Sequence, residues 1–120
     1  MSSLISESAL GTAEPLGHPA TDEIELAAVL QALSDPVRLR IIVALATGGE
    51  LSCKAIDLPV VKSTCTHHFR VLREAGVIRQ YYVGTTKMNA LRTDEVERRF
   101  PGLLSAVVTA SRGEAQSAAA

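Results

Sequence analysis

The stretch KSTCTHHFRVLREAGVI, Lys62 to Ile78, decides the fold. It reads as one helix with its start and its stop. Ser63 suits an N-cap, and Gly76 suits the glycine that ends a helix. With Cys65 at the origin and about 100° per residue, Phe69, Leu72 and Gly76 fall within about 40° of it, so that side is core. Ser63, Thr66, His67 and Arg70 fall about 100–200° away, on the opposite face. His68 lies at the margin of the core, beside Ala75.

This sorting bears on what the Cys and His residues do. Adjacent histidines diverge by about 100° and do not chelate. Cys65 and His68 have a ligand-like i,i+3 spacing, but a single buried Cys behaves as a small hydrophobe. Core packing is the expectation for Cys65, and packing with one satisfied ring nitrogen for His68. The outward set is short, polar and cationic, and Lys62, at the start of the stretch, joins it as a DNA-contact candidate. Such side chains donate to phosphates and base edges, and Arg grips guanine with two hydrogen bonds.

Outward from this helix, the chain punctuates itself. Downstream, Val77–Tyr82 and Thr85–Leu91 are β-prone around Gly84, which predicts a hairpin. Arg79 and Lys87 stand on its strands and Thr85 at its tip, a basic hairpin of the kind that contacts phosphate. Thr93 opens a further helix, Pro101-Gly102 breaks it, and Leu103, Leu104, Val107 and Val108 continue an apolar stripe. Upstream, Asp22 to Glu25 suits a helix start, and Leu26, Leu30 and Leu33 recur at helical spacing. Asp35-Pro36 caps and opens the next helix, whose apolar face is Leu39, Ile42, Val43 and Ala46, ended by Gly48-Gly49. A short helix is expected near Leu51–Ile56. The chain is therefore mainly α with a β-hairpin wing, the plan of a winged helix-turn-helix. Residues 1–20 are expected to form a flexible tail, 21–111 the domain, and 112–120 a second flexible tail.

Composition supports one small globular unit. The chain has 120 residues, 47% hydrophobic, with no Trp, so its core is aliphatic. Two cysteines are too few for a disulfide framework, which points to a reducing, cytoplasmic setting. No signal-peptide pattern and no membrane-length apolar run is visible. Charge is uneven: residues 1–34 hold five acids and no Lys or Arg, whereas residues 35–92 hold nine bases against four acids. A basic middle between acidic flanks suits a binder that meets phosphate on one face.

Two segments resemble the arsenic-repressor (ArsR/SmtB) family of bacterial regulators. ALSDPVRLRIIVAL, Ala32 to Leu45, is similar to that family's second-helix signature. STCTHHFRVLREAGVI, Ser63 to Ile78, is similar to its recognition-helix signature S-T-x-S-H-H-L-x-x-L-x-x-A-G-L. The resemblance implies a homodimeric winged-helix repressor that sits on a pseudo-palindromic operator and leaves it when an effector binds. It implies DNA contacts at Ser63, Thr64, Thr66, His67 and Arg70. It implies dimerisation through the first and last helices, here Leu26, Leu30, Leu103, Leu104 and Val107. The family's third-helix thiol site has the form E-L-C-x-C-D-L, but ELSCKAI puts Ser52 and Lys54 at its cysteine positions. Its last-helix zinc site needs Asp with His, and only Asp94 and Glu97 stand here. Neither metal site is intact.

The effector stays open. Cys53 and Cys65 suit a thiol-redox switch. His18, Cys53, Cys65 and His68 are the residues left to an atypical nickel or zinc site. A small organic inducer, a protein corepressor, or no effector at all is the third account. No enzyme is expected, because Cys65, His67 and His68 diverge along one helix. The remaining alternative is a winged helix that serves protein interaction alone.

Overall fold

The computed structural model describes residues 13–119. Among them, helix α1 spans Leu26–Ala32, α2 Pro36–Gly48, α3 Lys62–Glu74, α4 Thr93–Arg99 and α5 Leu103–Ala119. Strands are β1 Ala13–Pro15, β2 Leu51–Ser52, β3 Ile78–Val83 and β4 Thr86–Leu91. They form one antiparallel sheet in the order β1-β3-β4-β2.

Local chemistry sets most boundaries. The Asp35 carboxylate accepts from the backbone N–H of Val37 (2.8 Å) and Arg38 (3.1 Å), and Pro36 follows at the first helical position, so α2 starts there. Gly49, at φ 80°, ends it. Gly76 closes α3 at φ 88°, and a Cβ there would lie 2.6 Å from Ile24 Cγ1. Glycine is thus required twice over, by backbone and by space. The hairpin turns through Gly84-Thr85, since Val83 pairs with Thr86 and Gly84 has φ 62°.

Ile24, Val29, Ile41, Ile42, Leu45, Leu72, Val77, Ile78 and Val96 form the centre of an aliphatic core that also takes in Phe69 and Leu104. Each such buried side chain contributes about 1.5–3 kcal/mol. On α2 the buried face is Ile41, Ile42 and Leu45; Ala46, expected inside, is exposed. Helices α2 and α3, both in the core with α1 and followed by the β3–β4 hairpin, make a winged helix-turn-helix. No helix among the described residues is long and apolar enough to cross a membrane.

Four further sequence expectations change. Ser63 does not cap α3: the helix begins at Lys62, with Val61 at the N-cap and its carbonyl accepting from Cys65 N (2.9 Å). The short helix expected near Leu51–Ile56 is instead strand β2 followed by a 3-10 turn, Cys53–Ala55. The open edge of β4 recruits Leu51 and Ser52, which pair with Asn89 and Met88. The expected tail of residues 1–20 is structured from Ala13 onward. Ala13–Pro15 pair with β3, and the His18 Nε2 accepts from Gln80 N at 2.8 Å. Residues 1–12 lie outside the described residues. The tail expected at 112–120 is helical through Ala119, as its alanines favour.

Candidate nucleic-acid interface

Helix α3 presents two faces. Phe69 and Leu72 are buried and Cys65 is half-buried, while Lys62, Ser63, Thr64, Thr66, His67 and Arg70 are exposed. The sequence carries no acid between Lys62 and Arg73, so the exposed face is neutral or cationic up to Glu74, the exposed last residue of the helix. Thr66 Oγ1 donates to Lys62 O (3.1 Å), which fixes its rotamer and leaves oxygen lone pairs outward.

Arg38 holds this helix in place, a role the sequence did not suggest. From α2 its Nε donates to Ala32 O (2.6 Å) and one terminal nitrogen to Gln31 O (3.3 Å), at the end of α1. The other terminal nitrogen meets His68 Nδ1 on α3 at 3.1 Å. A guanidinium only donates, so His68 Nδ1 accepts and its Nε2 carries the proton. Asp35 Oδ2 lies 3.9 Å from the same ring nitrogen. Burial alone lifts the Asp35 carboxyl, but the backbone N–H groups of Arg38 and Val37 and the nearby Arg38 guanidinium hold it below its ordinary value. One arginine thus joins the three helices of the reading unit. His68 is committed to it.

A second polar chain fixes the wing. Arg73 on α3 donates to Gln80 Oε1 (3.0 Å), and Gln80 Nε2 donates to Asn89 Oδ1 (2.8 Å). Asn89 Nδ2 donates to Leu51 O (3.1 Å) and Cys53 Sγ (3.3 Å). Gln80 and Asn89 are buried between α3 and the sheet, where a polar group must be satisfied. Their signal was available in the sequence: Gln80 shares the strand parity of Ile78, the core side.

The same parity sorts the wing's candidates. Lys87 pairs with Tyr82 on the α3 side, its amine 5.6 Å from the Tyr82 ring. Thr85 is exposed at the tip. Arg79 pairs with Ala90 on the opposite face and stacks on Tyr81, 5.9 Å from its ring. The structure therefore brings Thr85 and Lys87 together with α3 and leaves Arg79 apart. The amino end of α3 and the wing flank one cleft of about 700 Å³, lined by Lys54, Lys62, Thr66, Thr85 and Lys87 among others. Lys54 was missed as a wing-side cation because the expected helix around it hid its position.

The residues left to a metal do not converge. His18 is bonded to Gln80 N, Cys65 Sγ donates to Val60 O (3.9 Å), Cys53 takes the Asn89 bond and His68 the Arg38 bond. Ser52 Oγ accepts from Ala55 N (3.2 Å), and Lys54 is an exposed cation, so the third-helix position does not fit a thiophilic metal. Among the described residues no three His, Cys, Asp or Glu side chains are grouped to hold an ion.

Of the implied dimer residues, Leu26 and Leu30 on α1 are 45% and 48% exposed. Leu103 and Val107 on α5 are half-buried. Leu104 points into the protomer's own core and offers no surface.

A family model described as a helix-turn-helix domain matches residues 33–81, from the end of α1 into β3. The uncharacterized HTH-type transcriptional regulator YceK of Bacillus subtilis (strain 168) is 39% identical over 87 residues, 70% of this chain and 87% of that protein. The uncharacterized HTH-type transcriptional regulator MJ1325 of Methanocaldococcus jannaschii is 34% identical over 73 residues, 59% of this chain and 82% of that protein.

Proposed function

The chain belongs to the helix-turn-helix transcriptional regulators, and from that membership we propose a homodimeric repressor of the arsenic-repressor type that reads a pseudo-palindromic operator. The observation that carries this reading is the exposed face of α3, free of acids from Lys62 to Arg73, beside a basic cleft and wing. In this reading Arg70, His67, Thr66 and Ser63 meet base edges, while Lys62, Thr64, Thr85 and Lys87 meet phosphate. Arg79 stands on the far face of the wing and has the weakest geometric support. Lys54 joins the phosphate set. Leu26 and Leu30 of α1, with Leu103 and Val107 of α5, pack against the second copy. The two recognition helices then enter successive major grooves about 34 Å apart. Such a regulator acts in the cytoplasm, where its DNA is, and no catalytic step enters. An effector releases it; the intact metal sets of the family are not what this chain offers.

The test is selection of operator sequences from a random duplex library, followed by affinity measurement. Arg70→Ala is expected to lose sequence preference, about 1–3 kcal/mol per half-site, while its thermal melt matches wild type. An Arg70→Ala protein that selects the operator as well as wild type refutes the assignment. Lys87→Ala is expected to weaken binding to all duplexes about equally and to flatten the salt dependence.

A further inference from the structure

The cleft between the amino end of α3 and the wing has more than a phosphate needs. Its floor is apolar, formed by Val60, Cys65 and Phe69. Gln80 also lines it, but both ends of its amide are spent on Arg73 and Asn89, so it demands no partner from a guest. The Tyr82 ring, 36% exposed, forms a side wall. The charged residues of the lining are Lys54, Lys62 and Lys87, and no acid is among them. A volume of about 700 Å³ lies within the roughly 300–1,000 Å³ of small-molecule sites. A DNA backbone is polar and gains nothing from such a floor, whereas a flat apolar body gains burial there and stacking on Tyr82.

We infer that this cleft binds a planar organic anion, its aromatic body on the Val60, Cys65 and Phe69 floor and its charge at the lysine rim, in place of DNA. A neutral aromatic lacks the rim interaction, and a cation is repelled by it. Binding uses Lys62 and Lys87, which the proposed DNA contact also uses, so the two ligands exclude each other. That exclusion rests on the DNA-binding reading; occupancy of the cleft by itself does not.

The probe is 8-anilinonaphthalene-1-sulfonate, titrated into the full chain by fluorescence. One site per protomer is expected. Lys54→Glu is expected to weaken it about tenfold, while Arg112→Glu, the same charge change on α5, leaves it within about twofold. Because Cys65 and Cys53 both line the cleft, a Cys53→Ser protein offers one thiol, and saturating probe is expected to slow its reaction with N-ethylmaleimide. No binding, or binding that ignores Lys54→Glu and leaves the thiol unprotected, overturns the inference. Operator duplex is expected to displace the probe; a protein that holds both ligands together overturns the exclusion. A protein that binds the probe with the Lys54 dependence but no DNA refutes the proposed function and leaves the cleft site standing.

Discussion

At the scale of single residues, the molecule depends on a few polar groups that join elements. Asn89 accepts from Gln80 and donates to Leu51 and Cys53. Asn89→Ala leaves the buried Gln80 amide without its acceptor and should cost about 1–3 kcal/mol. A urea melt checks this, and a midpoint equal to wild type would show the chain to be redundant. Gly76→Ala combines a left-handed φ with a clash on Ile24, so a loss of about 1–3 kcal/mol is expected from the same measurement. His18 adds a pH dependence. Burial lowers its imidazole below the ordinary 6.5; the backbone bond with Leu16 opposes this, and Arg92, Arg73 and Arg79 reinforce it. A depressed folded value means the neutral ring is the bound form. Its contribution is full above about pH 6.5 and is lost as the pH falls from there toward the folded value. The stability gap between wild type and His18→Ala should therefore shrink on acidification from about pH 7 to 5. A gap that widens would mean the ring is held as a cation.

At the scale of elements, the start of α2, the stops of α2 and α3 and the hairpin were legible because their signals are local. Asp35-Pro36, Gly49, Gly76 and Gly84 act where they stand. Beta-strand β2 and the amino-terminal strand were not legible, because both form to satisfy edges of a hairpin far away in sequence. The angular sorting of α3 foresaw its buried and exposed faces, including the marginal His68, but not the Arg38 clamp, which is a long-range contact. Helix α5 shows the same division. Pro101-Gly102 announces its start, but its cap comes from α4: Glu97 accepts from the backbone N–H of Gly102 (2.6 Å), Leu104 (2.9 Å) and Ser105 (3.3 Å). The Gly102 bond, with those of Ser105 and Leu104, holds the Glu97 carboxyl below its ordinary value although burial opposes it. The cap is thus fully present above the ordinary Glu range and is lost as the pH falls through the lowered one. Glu97→Gln should lower the melting temperature at neutral pH and cease to differ from wild type in strong acid. An equal deficit at both extremes would mean the carboxylate charge is irrelevant.

At the scale of the whole molecule, α1 and α5 carry the exposed and half-buried leucines and valine that a second copy would cover. Leu30→Glu is expected to give a monomer by sedimentation and to bind a single half-site weakly, since each protomer then grips alone. A dimer that persists would move the interface elsewhere. Strand β1 has a practical consequence. It runs antiparallel to β3 with Ala13 opposite Val83, so the first described residue stands at the tip of the wing. A label introduced at position 13 stands at the wing tip, beside Thr85, whereas one at positions 112–117 of α5 stands on an exposed stretch of helix. For anyone attaching a fluorophore or a surface linker, the choice between these positions decides whether the label sits where the proposed ligand must dock.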